Sequence, residues 1–146
     1  MDMVDTERYA RHISLPDVGI TGQKSIDDSR VLVVGAGGLG SPVLMYLAAA
    51  GIGHIGVVDD DVVDLSNLQR QIIHSESAIG RPKVESAKER INSINSAIKV
   101  TTWNARLSPD NAEEILCDWD IVIDGTDNIP TRYLVDDVCN LSLIHI

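Results

Sequence analysis

The sequence predicts an α/β chain with a mainly parallel, doubly wound sheet and helices on both faces. Three observations carry that expectation. Apolar β-type runs alternate with longer stretches of helical spacing along most of the 146 residues. The first run, Val31–Val34, feeds into Gly35-Ala36-Gly37-Gly38-Leu39-Gly40 and then into a helix-compatible stretch from Ser41 to Ala50. A second run, Ile55–Val58, ends on an acid, Asp59, at about the twenty-residue spacing expected of a ribose-binding carboxylate. Strand, glycine turn, helix N-terminus and acid together form the opening unit of a Rossmann-like fold. Its glycines permit a tight turn and close backbone approach, and its helix N-terminus offers free N–H groups to an anion.

Taken in order, Asp5–Ile13 reads as a short helix carrying Arg8, Tyr9, Arg11 and His12, with a turn at Pro16, and Ile20–Ile26 as a second one. Pro42 is compatible with the first turn of the helix after the glycines, and that helix is apolar enough to be expected buried against the sheet. Beyond the second strand comes a polar loop, Asp59-Asp60-Asp61 and then Asp64–Gln71. Gly80-Arg81-Pro82-Lys83 opens a helix in which Val84, Ala87, Ile91 and Ile94 share one face. Ile98–Trp103 reads as the third strand. Ser108-Pro109 supplies an N-cap and a first-turn proline for a helix to Cys117, whose thiol is expected in the core. Asp120–Asp124 is the fourth strand and Gly125–Asn128 its polar exit loop. A last helix from Pro130 is expected to bury Leu134, Val138 and Leu141. The chain divides into an N-terminal helical segment, 1–29, a core, 30–140, and an atypical tail, 141–146, whose apolar alternation suits a short strand. All of it, 1–146, is one nucleotide-binding domain. With strand order 3-2-1-4, the glycine turn, Asp59–Asp61 and Gly125–Asn128 emerge into one crevice at the strand C-termini.

Composition narrows the partners. A net charge of −10, with 44% hydrophobic and 23% charged residues, describes a globular chain without the basic stripe of a nucleic-acid surface. No apolar run is long enough for a membrane span, and the charged N-terminus lacks the core of a signal peptide, so a cytoplasmic protein is expected. Cys117 and Cys139 form no CxxC pair, and His12, His54, His74 and His145 lack metal-ligand spacing.

The crevice holds more charge than a dinucleotide needs. Arg70 and Lys83 add two cations, and Asp127 adds a carboxylate on the facing loop. Cations that neutralise phosphate oxygens, together with a hard oxygen ligand, suit a triphosphate with Mg²⁺, and Asn67 can add hydrogen bonds to phosphate or ribose. Asp59 stands at the ribose, and Asp61 is a further cofactor-binding candidate. Taken singly, Arg70 and Lys83 are ordinary surface charges and Asp127 an ordinary turn residue. A nicotinamide-dependent oxidoreductase domain accounts for Gly35–Gly40 and Asp59, but leaves Arg70, Lys83 and Asp127 without a role.

RYARH (Arg8–His12), VVGAGGLGSP (Val33–Pro42), DDD (Asp59–Asp61), LSNLQRQ (Leu65–Gln71), RPK (Arg81–Lys83) and DGTDN (Asp124–Asn128) resemble, in order and spacing, the ThiF/MoeB/HesA family, bacterial relatives of ubiquitin-activating enzymes. The resemblance covers the chain to about Asn140. It implies adenylation of the C-terminal Gly-Gly carboxylate of a ubiquitin-like sulfur carrier protein, with MgATP consumed and pyrophosphate released. By position it places Gly38 under the nucleotide, Asp59 on the ribose and Ser66, Asn67, Leu68, Gln69 and Arg70 along the phosphates. Arg70 and Lys83 are implied on phosphate oxygens, Asp127 on Mg²⁺ and Asn128 beside it. Arg11 is implied to reach the site of a partner subunit, hence a homodimer in the full-length protein. Family members continue well beyond this length, with a reactive cysteine and zinc-binding CxxC pairs. The chain is therefore expected to be C-terminally incomplete, with zinc only in the absent part. A nucleotide- or carrier-binding fragment without turnover stays open as a further reading.

Overall fold

A computed structural model describes residues 3–146. Its centre is a four-stranded, wholly parallel sheet in the order β3-β2-β1-β4. The strands are β1 (Arg30–Val34), β2 (His54–Val58), β3 (Lys99–Trp103) and β4 (Ile121–Asp124). Between and around them run α1 (Ala10–Ile13), α2 (Gly19–Asp28), α3 (Gly40–Ala50), α4 (Lys83–Ile94), α5 (Ala112–Leu116) and α6 (Ile129–Ser142). Fold class and strand order are those expected.

Alternation along β1 builds both cores. Val31 and Val33 face α3 and α4 and pack with Leu44, Ala48, Ile55, Val57 and Ile91. Leu32 and Val34 face α5 and α6 and pack with Leu116, Trp119, Val122, Val135 and Cys139. A strand buried on both faces must read as a continuous apolar run, and Val31–Val34 does. At its end Gly35 adopts φ +98°, and its N–H donates to the Val58 carbonyl at 2.8 Å. One turn of chain later, a Cβ on Gly40 would collide with the Gly35 carbonyl, so only glycine lets α3 begin this close to the strand it follows.

The N-terminal segment is anchored by polar pegs. The buried Tyr9 hydroxyl accepts from Asn95 Nδ2 at 2.9 Å. Gln23, fully buried, donates through Nε2 to the Ala50 carbonyl at 3.0 Å, and its Oε1 lies 2.8 Å from His12 Nδ1.

Several boundaries differ from expectation, each for a local reason. The helix sought over Asp5–Ile13 begins only at Ala10, after a turn in which the Asp5 carboxylate accepts from the Arg8 N–H at 2.9 Å. Ser108 is not an N-cap. Its own N–H donates to Asn111 Oδ1 at 2.9 Å, and α5 starts at Ala112. Cys117, just past the end of α5, is half-buried rather than in the core. On α6 the buried positions are Val135 and Cys139, flanked by Leu134 and Val138, whereas Leu141 is 87% exposed. It lies two residues beyond Cys139, about 200° further round the helix. Nor is α3 buried all round: Ser41, Leu44 and Ala48 face the sheet and Tyr46 faces out. The tail makes a single parallel bridge to β4, His145 opposite Ile121, rather than a full strand.

Substitution at the α3 start should be disproportionately damaging. Gly40→Ala forces a methyl onto backbone and is expected to cost about 3 kcal/mol or more, against about 0.5 kcal/mol or less for Tyr46→Ala on the exposed face. Urea-unfolding midpoints of the two variants check this.

Candidate functional site

The three loops leaving the C-terminal edge of the sheet enclose a cleft of about 770 Å³. Its floor is the glycine turn. One wall is Asp59–Asp61 with Asn67, Arg70, Gln71 and Lys83, and the other is Gly125–Asn128 with Thr131. The loop after β3, Ala105–Leu107, closes one side. Asp59 ties the floor to the wall: its Oδ2 accepts from the Ala36 N–H at 2.8 Å and its Oδ1 from the Asp61 N–H at 2.9 Å. A carboxylate offers about four acceptor positions, so capacity remains for hydroxyl donors.

Two cations stand on the same wall. Lys83 opens α4, where its N–H donates to the Asp61 carbonyl at 2.9 Å, and its side chain is only 7% exposed. The ammonium lies 3.4 Å from Asp61 Oδ2, whose own side chain is 68% exposed, so the pair has one buried and one wet partner. Arg70 donates to the Ser66 carbonyl at 3.3 Å and lies across Gly38, where a methyl group would sit 3.7 Å from its Cγ and Cδ. Both keep unused donors toward the cleft.

The facing loop is rigidly built. Asp124 Oδ1 accepts from the Thr126 N–H at 2.9 Å and from its hydroxyl at 2.7 Å. Asn128 caps α6 by accepting from the Thr131 N–H at 3.1 Å. Arg132, one turn into α6, donates through Nε and Nη2 to the Thr126 carbonyl at 3.0 and 2.7 Å. Between these fixed points Asp127 is exposed, lines the cleft and carries no hydrogen bond or ion pair among the described residues. A free carboxylate facing a cationic wall suits Mg²⁺, which takes one or two carboxylates and otherwise phosphate and water oxygens. Asp59, Asp60 and Asp61 also have oxygens within 4.8 Å of one another. Two of those three are committed to Ala36, the Asp61 N–H and Lys83.

Of the residues expected in the site, Gly38, Asp59, Asp61, Asn67, Arg70, Lys83, Asp127 and Asn128 line the cleft. Ser66, Leu68 and Gln69 do not. The Ser66 hydroxyl and N–H donate to Asp64 Oδ1 at 2.6 and 2.8 Å, bonds that hold the Asp64 carboxyl below its ordinary range. Arg11 is exposed on α1, outside the cleft. Sequence reasoning passed over Gln71, Arg106 and Arg132, and assigned no role to His74. The His74 ring is buried between the Ala36 carbonyl, 2.8 Å from Nε2, and Ser86 Oγ, 2.8 Å from Nδ1. A carbonyl only accepts, so Nε2 carries the proton and the Ser86 hydroxyl donates to Nδ1. His74 thus joins the glycine turn to the helix that carries Lys83.

The ThiF family model matches residues 9–146. The chain belongs to the ThiF family. As a ThiF-family chain it is 53% identical, over 138 residues, to the probable adenylyltransferase/sulfurtransferase MoeZ of Mycobacterium tuberculosis, spanning 94% of this chain and 35% of that protein. It is 47% identical to the SAMP-activating enzyme E1 of Haloferax volcanii, over 99% of this chain and 55% of the relative. The chain therefore spans about a third to about half of these relatives. Among solved structures, the E. coli tRNA N6-threonylcarbamoyladenosine dehydratase TcdA in complex with ATP superposes with a TM-score of 0.92 at 30% identity, over 99% of this chain and 60% of that one. Among the described residues no helix is long and apolar enough to cross a membrane.

Burial pushes the His74 imidazole below its ordinary value, and burial together with the nearby Lys99 and Arg30 charges does the same to His54. The unfolded chain then takes up protons first as pH falls below about 6.5, so stability is full above that pH and declines beneath it. Melting temperatures between pH 7.5 and 5 should fall accordingly, and His74→Gln should flatten the slope while leaving the His54 part.

Proposed function

We propose that this chain is the nucleotide-binding part of an adenylyltransferase that activates the C-terminal Gly-Gly carboxylate of a ubiquitin-like sulfur carrier protein with ATP. The single observation that carries the reading is the cleft's asymmetry. Exposed Arg70 and buried Lys83 stand on one wall and unpartnered Asp127 on the other, around the glycine turn. A nicotinamide dinucleotide uses the turn and Asp59 but has no use for that trio. Family membership, relatives named as an adenylyltransferase/sulfurtransferase and as a SAMP-activating enzyme, and a close structural match bound to ATP support the same reading.

In this mechanism Asp59 holds the ribose hydroxyls, and Gly38 and the backbone N–H groups at the start of α3 lie along the phosphates. Ser66, Asn67, Leu68 and Gln69 shape the phosphate-side segment, with Asn67 reaching the ligand. The carrier carboxylate oxygen attacks the α-phosphorus, the bond to the bridging oxygen breaks, and pyrophosphate leaves. Lys83 and Arg70 neutralise the negative charge that builds on the phosphate oxygens, from positions fixed before the reaction. Asp127, with Asn128 beside it, would hold Mg²⁺, whose contribution when bound is to neutralise phosphate charge. Arg11, exposed on α1, supplies a further cation to the cleft of a partner subunit in the full-length homodimer. Zinc belongs to the part of the family fold outside this chain, and a cytoplasmic setting suits a carrier-dependent enzyme.

The test is a thermal-shift titration with MgATP and with NAD. Saturation at 100 times Kd stabilises by about 2.7 kcal/mol, and MgATP should show it where NAD does not. Asp127→Asn should weaken ATP binding chiefly when Mg²⁺ is present, whereas Asp59→Asn should weaken ATP, ADP and adenosine alike. Carrier-dependent ATP–pyrophosphate exchange by the full-length protein completes the test. Larger stabilisation by NAD, or no exchange, overturns the proposal.

A further inference from the structure

The segment after the polar loop grips the glycine turn at three consecutive residues, in reverse order. His74 holds the Ala36 carbonyl, Gln71 lies against Gly37, and Arg70 lies across Gly38. Two of these grips have an evident chemical purpose. His74 is satisfied at both ring nitrogens, and Arg70 is a cation at a phosphate-facing turn. Gln71 fits neither description. It is 4% exposed, lines the cleft, and its Oε1 is buried without a partner. Its Nε2 makes no hydrogen bond among the described residues either, and lies 3.5 Å from where a methyl group on Gly37 would stand.

A buried side-chain oxygen without a partner is rare, because folding removes it from water and returns nothing, while Nε2 stands at the cleft with its protons unused. An apolar side chain of the same length would fill this place without that penalty. The donor end is the one turned to the glycine turn, where the free N–H groups of α3 also gather. Arg70, Lys83 and Nε2 all offer protons on this wall, beyond the carboxylates of Asp59–Asp61. These donors are matched by a ligand rich in acceptors. A phosphate chain is that ligand.

We propose that Gln71 is a further phosphate-binding residue, its Nε2 donating to an oxygen of the nucleotide's phosphate chain over Gly37 while Arg70 does the same over Gly38. Neighbours in sequence thereby bracket the turn from two sides, one neutral and buried, the other charged and exposed. The inference rests on the reading of the cleft as a nucleotide triphosphate site and adds a residue to it. The neutral donor selects by geometry rather than by charge, since it serves only an oxygen placed directly over the turn.

Gln71→Met preserves length and removes both polar atoms. The free variant should melt at or above the wild-type temperature, because an unsatisfied amide has been withdrawn from the interior. Its affinity for MgATP and for inorganic triphosphate should fall about tenfold or more, as expected for loss of a hydrogen bond to a charged group, with adenosine binding unchanged. Gln71→Glu should lose triphosphate binding more severely. Unaltered triphosphate affinity in the Met variant overturns the proposal, and so does an equal loss for adenosine, which would mark a purely structural role. The side-chain amide resonance of Gln71 in the wild-type protein gives a readout independent of any variant's folding. It should shift with triphosphate and not with adenosine, and a resonance unmoved by triphosphate overturns the proposal. A wild-type protein that binds triphosphate but catalyses no pyrophosphate exchange removes the adenylation reading and leaves Gln71 in place.

Discussion

Asp59 is the knot on which the cleft depends. Its two oxygens accept from Ala36 in the turn after β1 and from Asp61 in the loop after β2. Through Asp61 the same connection reaches Lys83, whose N–H and ammonium both meet that residue. A single side chain at the end of a central strand therefore sets the distance between the floor and the cationic wall. Charge-assisted bonds to backbone N–H groups are short and directional, which suits a part that must hold position before a ligand arrives. A second connection, His74 between Ala36 and Ser86, runs to the same helix from the other side.

The opposite wall is built on different principles. There the loop folds on itself, Asp124 onto Thr126 and Asn128 onto Thr131, and Arg132 clamps it from α6. The Asp127 carboxylate in that stretch is exposed and carries no hydrogen bond or ion pair among the described residues. One wall thus offers paired or stacked cations and the other a lone anion. The cleft needs no large conformational change to present both signs of charge.

Much of this was legible in the sequence, and what was legible shares a cause. The order of the strands, the turn at Gly35, the close approach at Gly40 and the place of Asp59 follow from local pattern: apolar runs, glycine spacing and an acid at a strand end; Gly38 and Asn128 came from the family resemblance. Arg70 and Lys83, ordinary surface charges when taken singly, were readable only together with Asp127, as charges that a dinucleotide does not need. Gln71 was not, because its significance lies in having no partner, and a sequence does not display a missing bond. His74 and Arg132 were equally silent, since each acts on a backbone carbonyl, and any residue supplies one. At Ser108 the bond runs from its own N–H to the Asn111 side chain, and helix caps and local turns draw on the same residue types. Leu141 was misplaced by a choice of helical phase that only the packing of Val135 and Cys139 resolves.

The strand order also has a temporal side. β1 is the middle of the sheet, yet its partners arrive unequally: β2 follows after one helix, whereas β4 is reached only after β2, α4, β3 and α5 have been made. During synthesis, Val31 and Val33 find α3 early, while Leu32 and Val34 wait for Trp119, Val122 and Val135. For that interval the nascent chain exposes an unpaired parallel edge beside an uncovered apolar face, the combination that invites association with other chains. The topology that gathers three loops into one cleft thus leaves one edge and one face of its central strand uncovered until β4 and α6 have been made.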